Sequence, residues 1–194
     1  MESSTAEQRT LSPEARQEAE ELLADFPNKK SALLMILRVI EREFGMIDDP
    51  GLALAAELCE VSPAHVLGMA SFYTHYKRPW HGKHRLMVCA TLMCALGGTR
   101  ESLDQIEATL GLKPGQITHD GLFSLEKVEC LADCDRPPAV QVNFTHYVRM
   151  RGEALDKLLG DLLAEEGKTA ADYQNQTPLK MQGAIPIISV KSDV

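Results

Sequence analysis

Val88-Cys89-Ala90-Thr91-Leu92-Met93-Cys94 and Glu129-Cys130-Leu131-Ala132-Asp133-Cys134 hold four of the chain's five cysteines. Each pair is tight enough for one loop to aim both sulfurs at a common centre. Two such loops supply four thiolates, which repel one another unless a cation or an iron–sulfur core neutralises them. The spacing therefore predicts an inorganic guest. A structural zinc accepts a tetrahedron of thiolates from closely spaced cysteine pairs. A [2Fe–2S] cluster also takes four thiolates, and a longer first gap of this kind opens the plant-type ferredoxin loop. The gaps here are four and three residues. Both guests remain open on spacing, with the cluster ahead. Disulfides rank third, because nothing places the chain in an oxidising compartment.

Working outward, the segment leading into the first pair, His84 to Cys89, alternates in Leu, Met and Val as a strand does. Gly97-Gly98-Thr99 then opens a helix carrying Leu103, Ile106 and Leu110, closed by Gly111. Asp120-Gly121 is a tight-turn signal ahead of a strand from Leu122 to Val128, which delivers the second pair. Ala139 to Val142 and His146 to Met150 read as two further strands. Glu153 to about Ala164 reads as an amphipathic helix with Leu155, Leu158, Leu159, Leu162 and Leu163. The result is a small α/β unit in which both cysteine pairs follow strand ends, where α/β sheets usually hold ligands.

The first eighty or so residues read as helices. Ser12-Pro13-Glu14 and Ser62-Pro63 are start signals, with Ser as N-cap and Pro at the first helical position. Between them a helix from about Ser31 carries Leu33, Leu34, Ile36, Leu37, Ile40 and Phe44 to Gly45, and another opens at Asp49-Pro50. The expected organisation is a helical region over 1–82, an α/β domain over 83–166 and an extended tail over 167–194. The tail is polar apart from the apolar patch Ala184 to Val190.

The net charge of −8 argues against nucleic acid and anionic membrane surfaces, which reward clustered Lys and Arg. No run approaches the length of a membrane-spanning helix. The N-terminal stretch Met1 to Glu7 has the character of neither a secretory signal nor an Arg-rich transit peptide. The expectation is a cytoplasmic protein with reduced thiols, including the cytoplasmic face of a membrane-bound complex. Cys59 reads as a small buried thiol. His65, His75, His81 and His84 read as packing or surface residues rather than a Rieske-type ligand set. Gly97-Gly98 lacks the Gly-x-Gly-x-x-Gly and Walker patterns of a phosphate loop, and no hydrolase constellation stands out, so no catalytic residue is expected.

Several segments together resemble the thioredoxin-like [2Fe–2S] subunit family of NADH-quinone oxidoreductase, the bacterial complex I. They are Ala70-Ser71-Phe72-Tyr73-Thr74, Gly82-Lys83-His84, Val88-Cys89 with Cys94 and Gly98, Val128-Glu129-Cys130-Leu131 with Cys134, and Pro138 to Asn143. The likeness runs over about residues 12 to 165. It implies an α/β fold with an N-terminal helical segment followed by a thioredoxin-like [2Fe–2S] ferredoxin domain. It also implies Cys89, Cys94, Cys130 and Cys134 as the four ligands, and raises the cluster well above zinc. The implied role is a one-electron carrier beside a flavin-containing, NADH-oxidising subunit and further iron–sulfur subunits, with FMN and NAD(H) on the partner. NADH-quinone oxidoreductase is the leading host. A soluble NAD-linked or electron-bifurcating hydrogenase or formate dehydrogenase is the alternative, and a zinc-stapled interaction module the distant one. One departure stands out: the family has Gly then Ala inside the second pair, where this chain has Ala132 and Asp133. A left-handed backbone there would strain Ala132, and Asp133 adds charge beside an anionic site. Arg136 is expected to offset such charge.

Overall fold

The structure, a computed structural model, describes residues 9–181. The chain divides between Pro79 and Trp80 into two compact units.

The first unit is helical. α1 spans Pro13–Asp25, α2 Leu33–Phe44, α3 Asp49–Cys59 and α4 Pro63–Phe72, with a 3-10 turn at Lys29–Ala32 before α2. The start signals act as expected: Ser12 Oγ accepts from Ala15 N and Ser62 Oγ from His65 N, both at 3.3 Å. The third cap is Asp48, one residue earlier than the Asp-Pro signal, accepting from Gly51 N at 3.0 Å. Gly45 ends α2 at φ 75°, a conformation glycine adopts without steric cost. The apolar stripe of α2 forms the centre of this unit's core, with Leu33, Ile36, Leu37 and Ile40 packed among Ala19, Leu52, Ala55, Val66 and Tyr76.

The second unit is built on a six-stranded sheet. Its strands are β1 (His84–Cys89), β2 (Gln116–Ile117), β3 (Phe123–Val128), β4 (Val140–Val142), β5 (Thr145–Tyr147) and β6 (Leu179–Lys180), in the order β5-β4-β1-β3-β2-β6. β1 and β3 run parallel at the centre, and every other pairing is antiparallel. α5 (Leu92–Gly97), α6 (Thr99–Leu110) and α7 (Glu153–Glu165) complete the unit. Leu86 and Val88 of β1, Phe123 and Leu125 of β3, Ile106 and Leu110 of α6, and five leucines of α7 make one continuous core. The expected strand over His146 to Met150 is shorter, because Arg149 turns to φ 56°, outside the extended region.

The segment after Gly167 departs most from expectation. Sequence reasoning leaves it without regular structure, yet a 3-10 turn forms at Ala170–Asp172 and β6 pairs with β2. Tyr173 is fully buried against Phe123 and donates its hydroxyl to Asp120 Oδ2 at 2.9 Å. A single anchoring aromatic among polar residues leaves no periodic pattern to read. The apolar patch Ala184 to Val190 lies outside the described residues.

Candidate functional site: two cysteine loops at one end of the sheet

The parallel register sets His84 beside Phe123 and, five residues on, Cys89 beside Val128. Both strands therefore release their loops from the same end of the sheet. Cys89 is the last residue of β1, and Cys130 follows β3 by two residues. Backbone bonds knit the first loop to its neighbours: Cys89 N donates to Ala139 O at 3.1 Å, and Ala90 N to Val128 O at 3.0 Å. Thr99 Oγ1 donates to Cys89 O at 2.7 Å, tying the start of α6 to the end of β1.

Cys94 sits inside α5, a short helix that sequence reasoning does not separate from the glycine turn behind it. Gly97 ends this helix and meets Pro137, beyond the second loop. A Cβ on Gly97 would stand 2.5 Å from Pro137 Cβ and 2.7 Å from its Cγ. Only a residue without a side chain lets the two cysteine loops approach this closely. Leu131, from the second loop, packs against Cys89, Cys94 and Ala139.

Cys130 Sγ and Cys134 Sγ lie 3.3 Å apart. Ala132 between them takes φ 66°, the left-handed conformation that a glycine would hold without strain. That turn aims its amide at Cys130 Sγ, 3.3 Å away. In the first loop, Cys89 Sγ lies 3.2 Å from Thr91 Oγ1. Burial disfavours the Cys89 thiolate, yet hydrogen bonds from Thr91 and from the Leu131 amide overcome it and hold the thiol below its ordinary range. At Cys94, burial dominates, and the charges of Cys89 and Cys130 push the thiol up further. The Ala132 amide lowers Cys130, while its contact with Cys130 raises Cys134. All four sulfurs lie within electrostatic reach of one another, yet among the described residues no three His, Cys, Asp or Glu side chains gather around a single-ion position.

The other singled-out residues go elsewhere. Cys59 is buried in the helical unit, and burial pushes its thiol up to about 11. His84 stacks on Phe123 and bonds Glu166 Oε1 at 2.8 Å, while His81 packs on Trp80 and stands 3.8 Å from Glu126. Asp133 is engaged by Arg136 at 3.3 Å and by His146 Nδ1 at 2.9 Å. Arg136 also reaches Asp135 at 3.3 Å. Sequence reasoning misses His146 and Thr91, and it expects backbone amides to donate toward the sulfurs without naming those of Leu131 and Ala132. Of these only Thr91 carries a local signal, a cap-forming residue directly before a helix.

Four cysteine sulfurs, with the amides of Leu131 and Ala132 aimed at Cys89 and Cys130, suit an iron–sulfur core, whose anionic sulfurs accept such bonds. Residues 19–163 match the thioredoxin-like [2Fe-2S] ferredoxin family. The chain belongs to that family. A relative named NADH-quinone oxidoreductase subunit 2, from Thermus thermophilus, is 42% identical over 148 residues, covering 75% of this chain and 82% of its own length. A relative from Aquifex aeolicus, also named as a subunit of NADH-quinone oxidoreductase, is 35% identical over 134 residues, covering 69% and 84%. Among solved structures, an NAD+-reducing [NiFe]-hydrogenase in the H2-reduced state superposes with a TM-score of 0.58 at 20% identity. That match covers 67% of this chain but only 22% of the hydrogenase chain, so it speaks for the ferredoxin fold alone. The thioredoxin-like ferredoxin match ends before Tyr173 and before β6, the strand that pairs with β2.

Proposed function

We propose that this ferredoxin is a one-electron carrier subunit of an NADH-quinone oxidoreductase, working on the cytoplasmic side. Its cluster would be held by Cys89, Cys94, Cys130 and Cys134. The observation that carries this reading is the delivery of both cysteine pairs from adjacent parallel strands to one end of the sheet, in a chain of this family. When bound, the cluster supplies one-electron chemistry. The chain's own residues do the rest. Its strands and Gly97 hold the loops together, and its amides at Leu131 and Ala132 stabilise anionic sulfur.

A surface beside the loops supports docking. Leu92 is 72% exposed and Leu96 77%, with Met93 between them also exposed, all on the helix that carries Cys94. Large apolar side chains clustered on a surface mark an interaction site. The proposed occupant is the flavin-containing, NADH-binding subunit, which would take up a hydride and pass electrons on singly. Further iron–sulfur subunits complete the assembly.

Anaerobic purification and metal analysis test the reading directly. The expected content is about two irons and two acid-labile sulfides per chain. Cys89→Ser, Cys94→Ser, Cys130→Ser and Cys134→Ser should each bleach or badly destabilise the centre, and Cys59→Ser should not. Stoichiometric zinc without iron would replace the carrier by a zinc-stapled interaction module. Co-purifying subunits, identified by mass spectrometry, name the host.

A further inference from the structure

Thr91 occupies the N-cap position of α5, in extended backbone at φ −80° and ψ 167°. A threonine there ordinarily spends its hydroxyl on an amide of the helix's first turn. Four other polar N-caps among the described residues follow that habit: Ser12, Asn28, Asp48 and Ser62 each accept from the residue three positions on. Thr91 makes no such bond. Its Oγ1 lies instead 3.2 Å from Cys89 Sγ, a normal separation for a hydrogen bond involving sulfur.

We propose that Thr91 is a tuning residue, its hydroxyl donating to the Cys89 sulfur and raising the reduction potential of the centre. The inference rests on the four-cysteine reading of the proposed function. A ligating cysteine is a thiolate and can only accept, so the shared proton belongs to the threonine. Adding an electron increases negative charge on the ligating sulfurs. The donated bond therefore strengthens on reduction and favours the reduced form.

The test uses the full chain purified anaerobically, with midpoints from redox-poised EPR. Thr91→Val keeps the β-branched shape and removes the donor, whereas Thr91→Ser keeps the donor. Thr91→Val should reduce the reduced-to-oxidised ratio at a fixed poise by about three- to tenfold, the upper figure being about 59 mV for one electron. Thr91→Ser should recover most of that loss. If the valine variant loses its iron, Thr91→Ala must show the same fall in midpoint. An unchanged or higher midpoint with iron and sulfide intact overturns the tuning role, as does a serine variant that falls as far as valine. A wild-type chain that carries no iron overturns the cluster reading itself, and the metal analysis separates that result from a failed hydrogen bond.

Discussion

The two cysteine loops carry the same ligand type and differ in almost everything else. Cys89 and Cys94 are each only 1% exposed, one at the end of a strand and one inside a helix. Cys130 is exposed, Cys134 is half-buried, and both lie in irregular chain. The first loop is positioned by secondary structure and packing. The second is held by its own backbone conformation, by the left-handed Ala132 and by a polar cluster around Asp133. One site therefore combines a rigid half with a half whose geometry depends on a few local bonds.

The contact joining the halves gives the largest expected effect. Gly97→Ala would drive its Cβ into the Pro137 ring, which cannot rotate away. Overpacking of this kind costs about 1–3 kcal/mol. The strain falls on the contact that seats the second loop against the first. The expected outcome is a lower thermal midpoint together with faster bleaching of the visible spectrum in the presence of a chelator. Gly160→Ala is the control, because a Cβ there meets nothing within 4 Å. If Gly97→Ala bleaches no faster than that control, the loops are independent and the contrast between a rigid and a dependent half is wrong.

A subtler change sharpens the picture of the second loop. Ala132 holds φ 66°, which costs an L-residue with a side chain roughly 1 kcal/mol relative to glycine. Ala132→Gly should relieve that strain while keeping the amide that reaches Cys130 Sγ. We expect slower cluster loss to chelator and a stability gain of about 1 kcal/mol, measured by denaturant titration. A loss of stability would mean that the restriction alanine places on the unfolded chain outweighs the native strain.

Much of this asymmetry was legible in the residues. The paired cysteines, the strand before each pair and the Ser-Pro helix starts all follow from local rules, while the glycine expected at position 132 comes from the family resemblance. The unread parts are those set by partners distant in sequence. Pro137 gives Gly97 its meaning, and nothing near either residue announces the other. β2 and β6 are two residues each and exist only because they pair. Tyr173 is legible as an aromatic but not as a core residue, since its burial depends on Asp120 and Phe123, about fifty positions earlier. Thr91 carries a local signal that points to the wrong partner, because the sulfur lies behind it in the chain rather than ahead.

The smallest expected effect concerns the one charge that separates the loops. No carboxylate stands between Cys89 and Cys94, whereas Asp133 directly precedes Cys134. Sequence reasoning makes that carboxylate oppose reduction, and its removal should raise the potential. The structure supplies the counter-argument. Asp133's side chain is only 19% exposed and is held by His146 Nδ1 at 2.9 Å and Arg136 at 3.3 Å. The guanidinium beside it offsets much of its field at the sulfurs, and solvent around Arg136 and His146 screens more. One unpaired charge at roughly 7 Å in water-like surroundings contributes about 0.6 kcal/mol, or on the order of 25 mV. Asp133→Asn should therefore raise the EPR midpoint by no more than about 25 mV. Arg136→Gln, which removes the guanidinium and leaves His146 as the carboxylate's partner, should lower it by a comparable amount. A rise far above that limit for Asp133→Asn would show that the pairing does not shield the sulfurs. A fall would show that Asp133 acts mainly by holding the second loop to His146, with its charge secondary.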